Sequence, residues 1–118
     1  MKKIYHLSTC STCAKIIKGL NIDKTFELQD IKKEKITAMQ LDEMKKISTS
    51  YENLFSRKSI KYKTLSLKEK ILTEKDFRKL ILDEYTFLKR PVIIIGKKIF
   101  IGNAKNAVDG AKDEISKF

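Results

Sequence analysis

The chain of 118 residues contains only two cysteines, one histidine, one proline and four glycines. Two cysteines cannot build the multi-bridge scaffold of a small secreted domain. No stretch is rich in proline or serine, which argues against a disordered linker. The longest apolar run, residues 92–95, is far below the roughly 20 residues that span a bilayer, and no sustained apolar segment follows Met1. We therefore predict a single cytoplasmic domain of residues 1–118 with no membrane association.

Arginine is also scarce, because all but three of the 26 basic residues are lysines spread along almost every segment. The formal charge of +11 would suit a nucleic-acid partner. A binding groove, however, is better indicated by clustered arginines with stacking aromatics, and the sequence has neither. We expect a solvated, lysine-rich surface and no direct nucleic-acid binding.

Apolar periodicity divides the chain into a β-α-β segment, a helical insert and a β-β-α segment. The predicted strands are 2–7, 25–28, 92–95 and 98–101, with Gly96-Lys97 as a two-residue hairpin turn between the last two. The first two strands should be parallel, and the last two antiparallel. A helix of about two turns is predicted after the first strand, ending near Gly19.

Helix starts are predicted at Thr37, Thr73 and Asn103. Thr37 and Gln40 fit a capping box. Apolar residues recur at helical spacing after the other two starts: Phe77, Leu80, Ile81, Tyr85 and Leu88 in one helix, and Ala104, Ala107, Val108, Ala111, Ile115 and Phe118 in the other. With shorter helical pieces between residues 48 and 72, the insert spans about 33–88.

Both cysteines and the histidine fall within eight residues, His6 to Cys13. Cys10 stands where the first strand meets the first helix, and there unpaired N–H groups and the positive helix end favour an anion. The pKa of such a thiol can fall from about 8.5 to roughly 3.5–7.5, which makes Cys10 a candidate nucleophile. Cys13, one turn later, can attack a sulfur bonded to Cys10 and is the candidate resolving thiol.

Other interpretations of these three residues stay open. Zinc normally takes four ligands, and Cys10, Cys13 and His6 supply only three, so we expect no metal. The cysteines could instead simply pack in the core, as free cysteines often do. His6 could influence Cys10 through its charge or a hydrogen bond, or it could be a core histidine whose hydrogen bonds are satisfied elsewhere. Its spacing does not decide between the two.

The chain resembles the arsenate reductase (ArsC)-like family of the thioredoxin superfamily, which also contains Spx-type transcription regulators. The resemblance rests on Tyr5-His6, Cys10-Ser11-Thr12-Cys13, Ser56-Arg57 and Leu88-Lys89-Arg90-Pro91. It implies an α/β, thioredoxin-like fold with a small four-stranded mixed sheet, flanking helices and a helical insert. It also implies that Pro91 is the superfamily's cis-proline, facing the active-site cysteine.

The resemblance further implies site roles and partners. The implied catalytic residues are Cys10, Cys13, Arg57 and Arg90, and the implied substrate-binding residues are Ser11, Thr12, His6 and Pro91. A guanidinium offers a planar fork that grips oxyanions or carboxylates, although both arginines could equally be surface ion-pair partners. The implied substrate is a small oxyanion or thiol. The implied electron donor is glutathione with glutaredoxin, or thioredoxin, with no bound cofactor.

Two departures from the family pattern shape the functional prediction. Glutaredoxin-coupled arsenate reductases carry a third arginine after the hairpin, where this chain has residues 101–103, Ile-Gly-Asn. Spx-type regulators carry a glycine near the start of the insert, and residues 46–50 contain none. We predict a thiol oxidoreductase with weak or absent arsenate turnover. The alternatives are an Spx-like regulator whose Cys10–Cys13 disulfide changes its affinity for the RNA polymerase α-subunit, and a family member without activity.

Overall fold

The computed structural model describes residues 1–117, and the predicted apolar role of Phe118 lies outside them. The chain divides into two compact units, one formed by residues 1–35 and the segment from Arg90 onward, the other by Ile36–Lys89. The second unit closely matches the predicted insert. That the whole chain forms one domain stays a prediction.

The first unit contains all four strands and two long helices. In chain order these are β1 (Lys2–His6), α1 (Ser11–Leu20), β2 (Glu27–Asp30), β3 (Val92–Ile95), β4 (Lys98–Ile101) and α5 (Lys105–Ile115). The hairpin between β3 and β4 has its predicted bounds. Gly96 in its turn adopts a left-handed φ of 62°, which glycine tolerates without a steric penalty.

The four strands form one mixed sheet in the order β2-β1-β3-β4. β1 runs parallel to β2, and its other neighbour, β3, is antiparallel to both β1 and β4. The β-α-β connection therefore leads to a parallel pair, as predicted. The α/β fold with a four-stranded mixed sheet is confirmed.

The first unit is held together by an aliphatic core between the sheet and its helices. Ile4, Ile93 and Ile95 from the central strands pack with Leu20 of α1 and Ala111 of α5. All four residues of β3 are buried, as expected for a short β-branched run in the centre of a sheet. α5 therefore lies on the sheet.

The second unit is helical. It contains α2 (Ala38–Ser48), α3 (Ile60–Thr64), α4 (Glu74–Asp83) and three single-turn 3₁₀ helices at Glu52–Leu54, Leu67–Glu69 and Tyr85–Phe87. Thr37 and Gln40 form the predicted capping box of α2, and Thr73 forms a second one with Asp76 at α4. The short helical pieces expected between the two long helices are present.

An aromatic cluster forms part of the core of the second unit. The ring of Phe55 packs on Phe77, Phe87 and Tyr62, with centroid separations of 4.8, 5.0 and 6.2 Å. Phe55 also forms an isolated antiparallel bridge with Leu88. The segments before and after α4 are thus joined by both backbone and ring contacts.

Two predicted boundaries are wrong near polar turns. The second strand was expected at 25–28 but is Glu27–Asp30, because the Asp23 carboxylate accepts the N–H and hydroxyl of Thr25 and bends the chain there. The helix predicted to reach Tyr85 and Leu88 stops at Asp83. Glu84 is extended and caps the following 3₁₀ turn.

The start of the last helix also differs from the prediction. Asn103 was expected as its N-cap, but α5 begins at Lys105 with Ala104 as N-cap, and Ala104 is exposed. The Gly102 N–H donates to the Pro91 carbonyl over 2.9 Å, which keeps the chain beside β3 after β4 has ended. The helix can begin only beyond that bond.

Across the described residues, no helix combines the length and apolar character that crossing a membrane requires.

Candidate active site

Cys10 is the N-cap of α1 and ends a tight turn that begins at Leu7. Its N–H donates to the Leu7 carbonyl over 3.0 Å, and its own carbonyl accepts the Ala14 N–H over 3.2 Å, which begins the helical ladder. The backbone at Cys10 is extended, with φ −95° and ψ 109°. The structure thus places Cys10 at the helix N-terminus, where the sequence predicts it.

Cys13 lies one turn into α1 and is buried, with 1% of its surface exposed, whereas Cys10 is partly exposed. Both thiols are free. A reagent in solution can therefore reach Cys10 far more readily than Cys13.

The pKa of Cys10 lies below the ordinary value for a thiol. Partial burial by itself would raise it, but the backbone N–H and thiol of Cys13, the charge of Arg90 and the Thr12 N–H together outweigh burial and lower it. Although the Cys10 side chain makes no capping hydrogen bond, the first N–H groups of α1 favour its anion electrostatically. Thiolate chemistry is therefore favoured at this sulfur.

The pKa of Cys13 moves in the opposite direction, to about 11. Burial is the main cause. A hydrogen bond with the Leu7 backbone opposes it, the hydrogen bond and charge of Cys10 raise the pKa further, and the charge of Arg90 lowers it least. Cys10 is thus the thiol that more readily forms the nucleophilic thiolate, while Cys13 stays protonated near neutral pH.

Asp30, at the end of β2, is a residue that the sequence analysis missed. One carboxylate oxygen accepts the N–H of Ser8, which precedes Cys10 by two residues, and also the N–H of Lys32, each over 3.2 Å. Hydrogen bonds from Ser8 are the main cause of the lowered pKa of Asp30, and the charge of His6 contributes. The available sequence signal was an aspartate two residues after the predicted strand 25–28. In the structure this aspartate pairs with His6 of β1.

The residues implied as substrate-binding all lie in the first unit. Ser11 and Thr12 are exposed in the first turn of α1, and His6 ends β1 half-buried. Pro91 is buried directly before β3, and the Arg90–Pro91 peptide bond is cis, as the resemblance implies. Their contact with a substrate stays a prediction.

The two arginines implied as an anion clamp lie in different units. Arg90 acts on both thiols through its charge. Arg57 lies in the second unit, where its guanidinium carbon is 5.8 and 5.5 Å from the ring centroids of Phe55 and Phe77 and its Nη2 pairs with Glu52 over 3.0 Å. The surface ion-pair interpretation thus holds in part for Arg57, and its convergence on Cys10 stays a prediction.

No group of three His, Cys, Asp or Glu side chains in residues 1–117 is arranged to hold a metal ion.

Comparison with solved structures finds proteins of the same fold. A Bacteroides fragilis protein described as related to the ArsC family superposes with a TM-score of 0.77 at 22% identity, covering 93% of this chain and 96% of that one. The arsenate reductase of Vibrio cholerae superposes with a TM-score of 0.75 at 15% identity over 93% and 96% of the two chains. An arsenate reductase (ArsC) related protein from Brucella melitensis gives 0.69 at 24% identity over 92% of each.

At these identities the structural likeness shows the thioredoxin-like fold, and a search of curated proteins finds no match. Family membership comes from the sequence. The sequence model of the ArsC family matches residues 5–111, from β1 into α5, with both cysteines and the Arg90–Pro91 bond inside the match. The chain therefore belongs to the ArsC family.

Proposed function

We propose that this protein is a thiol-dependent oxidoreductase that uses Cys10 as nucleophile and Cys13 as resolving thiol. The observation that carries the proposal is the placement of Cys10, which is partly exposed at the N-terminus of α1 while Cys13 lies buried one turn behind it. Their opposite pKa shifts support the same division of roles. Membership of the ArsC family is consistent with such chemistry.

The proposed reaction has two displacement steps. The Cys10 thiolate attacks one sulfur of a small disulfide, forms a mixed disulfide and releases the other sulfur as a thiolate. Cys13 then gives up its proton and attacks the Cys10 sulfur. The Cys10–Cys13 disulfide forms, the second substrate thiolate leaves, and two electrons have passed from the protein to the substrate.

The oxidised protein must then be reduced again. We propose glutathione with glutaredoxin, or thioredoxin, as the electron donor, with no bound cofactor. Because such donors stay reduced in the cytoplasm, we propose that compartment. Arg90, whose charge favours the Cys10 thiolate, would also attract an anionic substrate group such as a glutathione carboxylate.

The test measures reduction of hydroxyethyl disulfide by glutathione, coupled to glutathione reductase and NADPH consumption. Cys10→Ser should abolish the protein-dependent rate. The matched variant Cys13→Ser keeps the nucleophile and should accumulate a mixed disulfide at Cys10, detectable as added mass. A Cys10→Ser protein that retains the wild-type rate would disprove the proposed nucleophile.

The same preparation separates the enzyme from the competing regulator hypothesis. Arsenate turnover should be weak or absent, because a missing donor to the developing charge often costs roughly 10²–10³ in rate. The reduced and oxidised proteins should not bind the C-terminal domain of the RNA polymerase α-subunit. Micromolar, redox-dependent binding would favour the regulator instead.

A further inference from the structure

The Asp30 carboxylate connects the end of β2 to the loop that carries Cys10. Its Oδ1 atom accepts the Ser8 N–H from that loop and the Lys32 N–H from its own turn, each over 3.2 Å. Ser8 follows Leu7, whose carbonyl accepts the Cys10 N–H over 3.0 Å. One side chain therefore fixes the beginning of the turn that Cys10 ends.

Asp30 is itself firmly held. Its carbonyl accepts the N–H groups of Lys33 and Glu34 over 3.1 and 2.8 Å, and the next residue, Ile31, donates its N–H to the His6 carbonyl over 2.9 Å. Its second carboxylate oxygen is buried and makes no hydrogen bond to any of residues 1–117. A carboxylate carried by a backbone that is fixed in this way couples the position of β2 to the Cys10 loop.

We propose that Asp30 is a positioning residue for Cys10, which holds Ser8 and thereby keeps the Cys10 sulfur at the first N–H groups of α1. The favourable effect of a helix end on an anion falls off within the first turn, so a small displacement of the loop weakens it. The inference rests on the proposed function, in which Cys10 is the nucleophile.

A purely electrostatic role of Asp30 predicts the opposite result. A carboxylate near a thiolate disfavours the thiolate, so loss of the Asp30 charge alone would lower the pKa of Cys10 and increase its reactivity. Loss of an anchoring side chain would instead raise the pKa of Cys10 and slow its alkylation. The sign of the change therefore distinguishes the two roles.

The experiment compares Asp30→Ala with Asp30→Asn in the full-length protein. Alanine removes both the anchor and the charge, whereas the asparagine oxygen can still accept the Ser8 and Lys32 N–H groups without a charge. Asp23→Ala is the matched control, because Asp23 holds a similar turn, accepting the Thr25 N–H over 2.8 Å, away from the cysteine loop. The readouts are the iodoacetamide rate of Cys10 at pH 7 and the pH profile of that rate.

Asp30→Ala should slow Cys10 alkylation roughly threefold or more and move its pH profile to higher pH. A tenfold change in the thiolate population at pH 7 corresponds to a shift of one pKa unit. Asp30→Asn should stay within about twofold of wild type, and Asp23→Ala should change nothing. A wild-type rate in Asp30→Ala, or faster alkylation in both Asp30 variants, would overturn the proposal.

Two further measurements keep the test decisive. If Asp30→Ala does not fold, Asp30→Glu replaces it, since the longer side chain keeps the charge but displaces the oxygen that accepts the Ser8 N–H. A slower rate in that variant supports the proposal, and an unchanged rate contradicts it. If wild-type Cys10 is no more reactive than Cys13, the proposed function fails. If wild-type Cys10 is reactive but insensitive to Asp30, the positioning role alone fails.

Discussion

Selective alkylation of the two thiols is the most direct test of the site, and pH is the perturbation. Burial is the main cause that raises the pKa of Cys13 to about 11, two units above the ordinary value of 9, whereas the pKa of Cys10 is lowered from that same value. At pH 7 the thiolate population of Cys10 should therefore exceed that of Cys13 by more than roughly a hundredfold, because each unit is a factor of ten.

Intrinsic nucleophilicity reduces this advantage. A thiolate of lower pKa attacks more slowly, with a Brønsted coefficient of about 0.4–0.5. A pKa difference of two units therefore slows the Cys10 thiolate by roughly a factor of ten relative to the Cys13 thiolate. Cys10 should then react about tenfold faster than Cys13, or more. Because Cys13 is 1% exposed, burial adds further selectivity.

The assay uses limited iodoacetamide at several pH values, with the modified site located by peptide mass spectrometry. The rate of Cys10 should level off at lower pH than that of Cys13, which should keep rising up to about pH 11. In guanidinium chloride the selectivity should collapse to near unity, because it depends on the fold. Equal rates in the native protein, or a faster Cys13, would refute the reasoning.

Three further predictions concern stability and are measured by chemical denaturation. Gly19→Ala in α1 should raise the free energy of unfolding by about 0.5–1 kcal/mol, since open space surrounds the added methyl group. Gly110→Ala in α5 should lower it by about 1 kcal/mol, because the new Cβ would lie 2.9 Å from the Phe100 ring; equal stabilisation by both would contradict the packing. The pKa of Asp42 is lowered to about 2, mainly by hydrogen bonds from Arg78. Asp42 therefore contributes stability that is present above its unfolded pKa of about 4 and is lost as pH falls through about 2. This contribution, about 1 kcal/mol after solvent screening, should decrease in Arg78→Ala, which leaves the Tyr51 hydroxyl as a donor to Asp42. An unchanged acid profile would count against the ion pair.

Much of the fold follows from local signals in the sequence. The β3–β4 hairpin and the Thr37 capping box are specified by neighbouring residues, and the structure shows both as predicted. The errors arise where a bond from elsewhere in the chain sets the boundary. The Gly102 N–H donates to the Pro91 carbonyl, eleven residues away, and delays α5. Periodicity within a short window cannot contain that information.

The site was predictable to a similar extent. The Cys-X-X-Cys spacing after a strand places Cys10 at a helix N-terminus, and the rarity of arginine directs attention to Arg90. Asp30 was missed because its link to Ser8 joins residues separated by 22 positions, and only the parallel pairing of β1 with β2 brings them together. The partner of Arg57, Glu52, was also not identified from sequence.

The burial of Cys13 beside Cys10 has a consequence for timing. Burial contributes most to the raised pKa of Cys13, but the hydrogen bond and negative charge of Cys10 contribute as well. When the Cys10 sulfur is bonded to another atom, it carries no charge, and the part of the pKa elevation that comes from that charge disappears. The second thiol therefore becomes more acidic only after the first has reacted. The two thiols therefore react in a fixed order, and Cys13 does not compete with Cys10 for substrate until Cys10 has reacted.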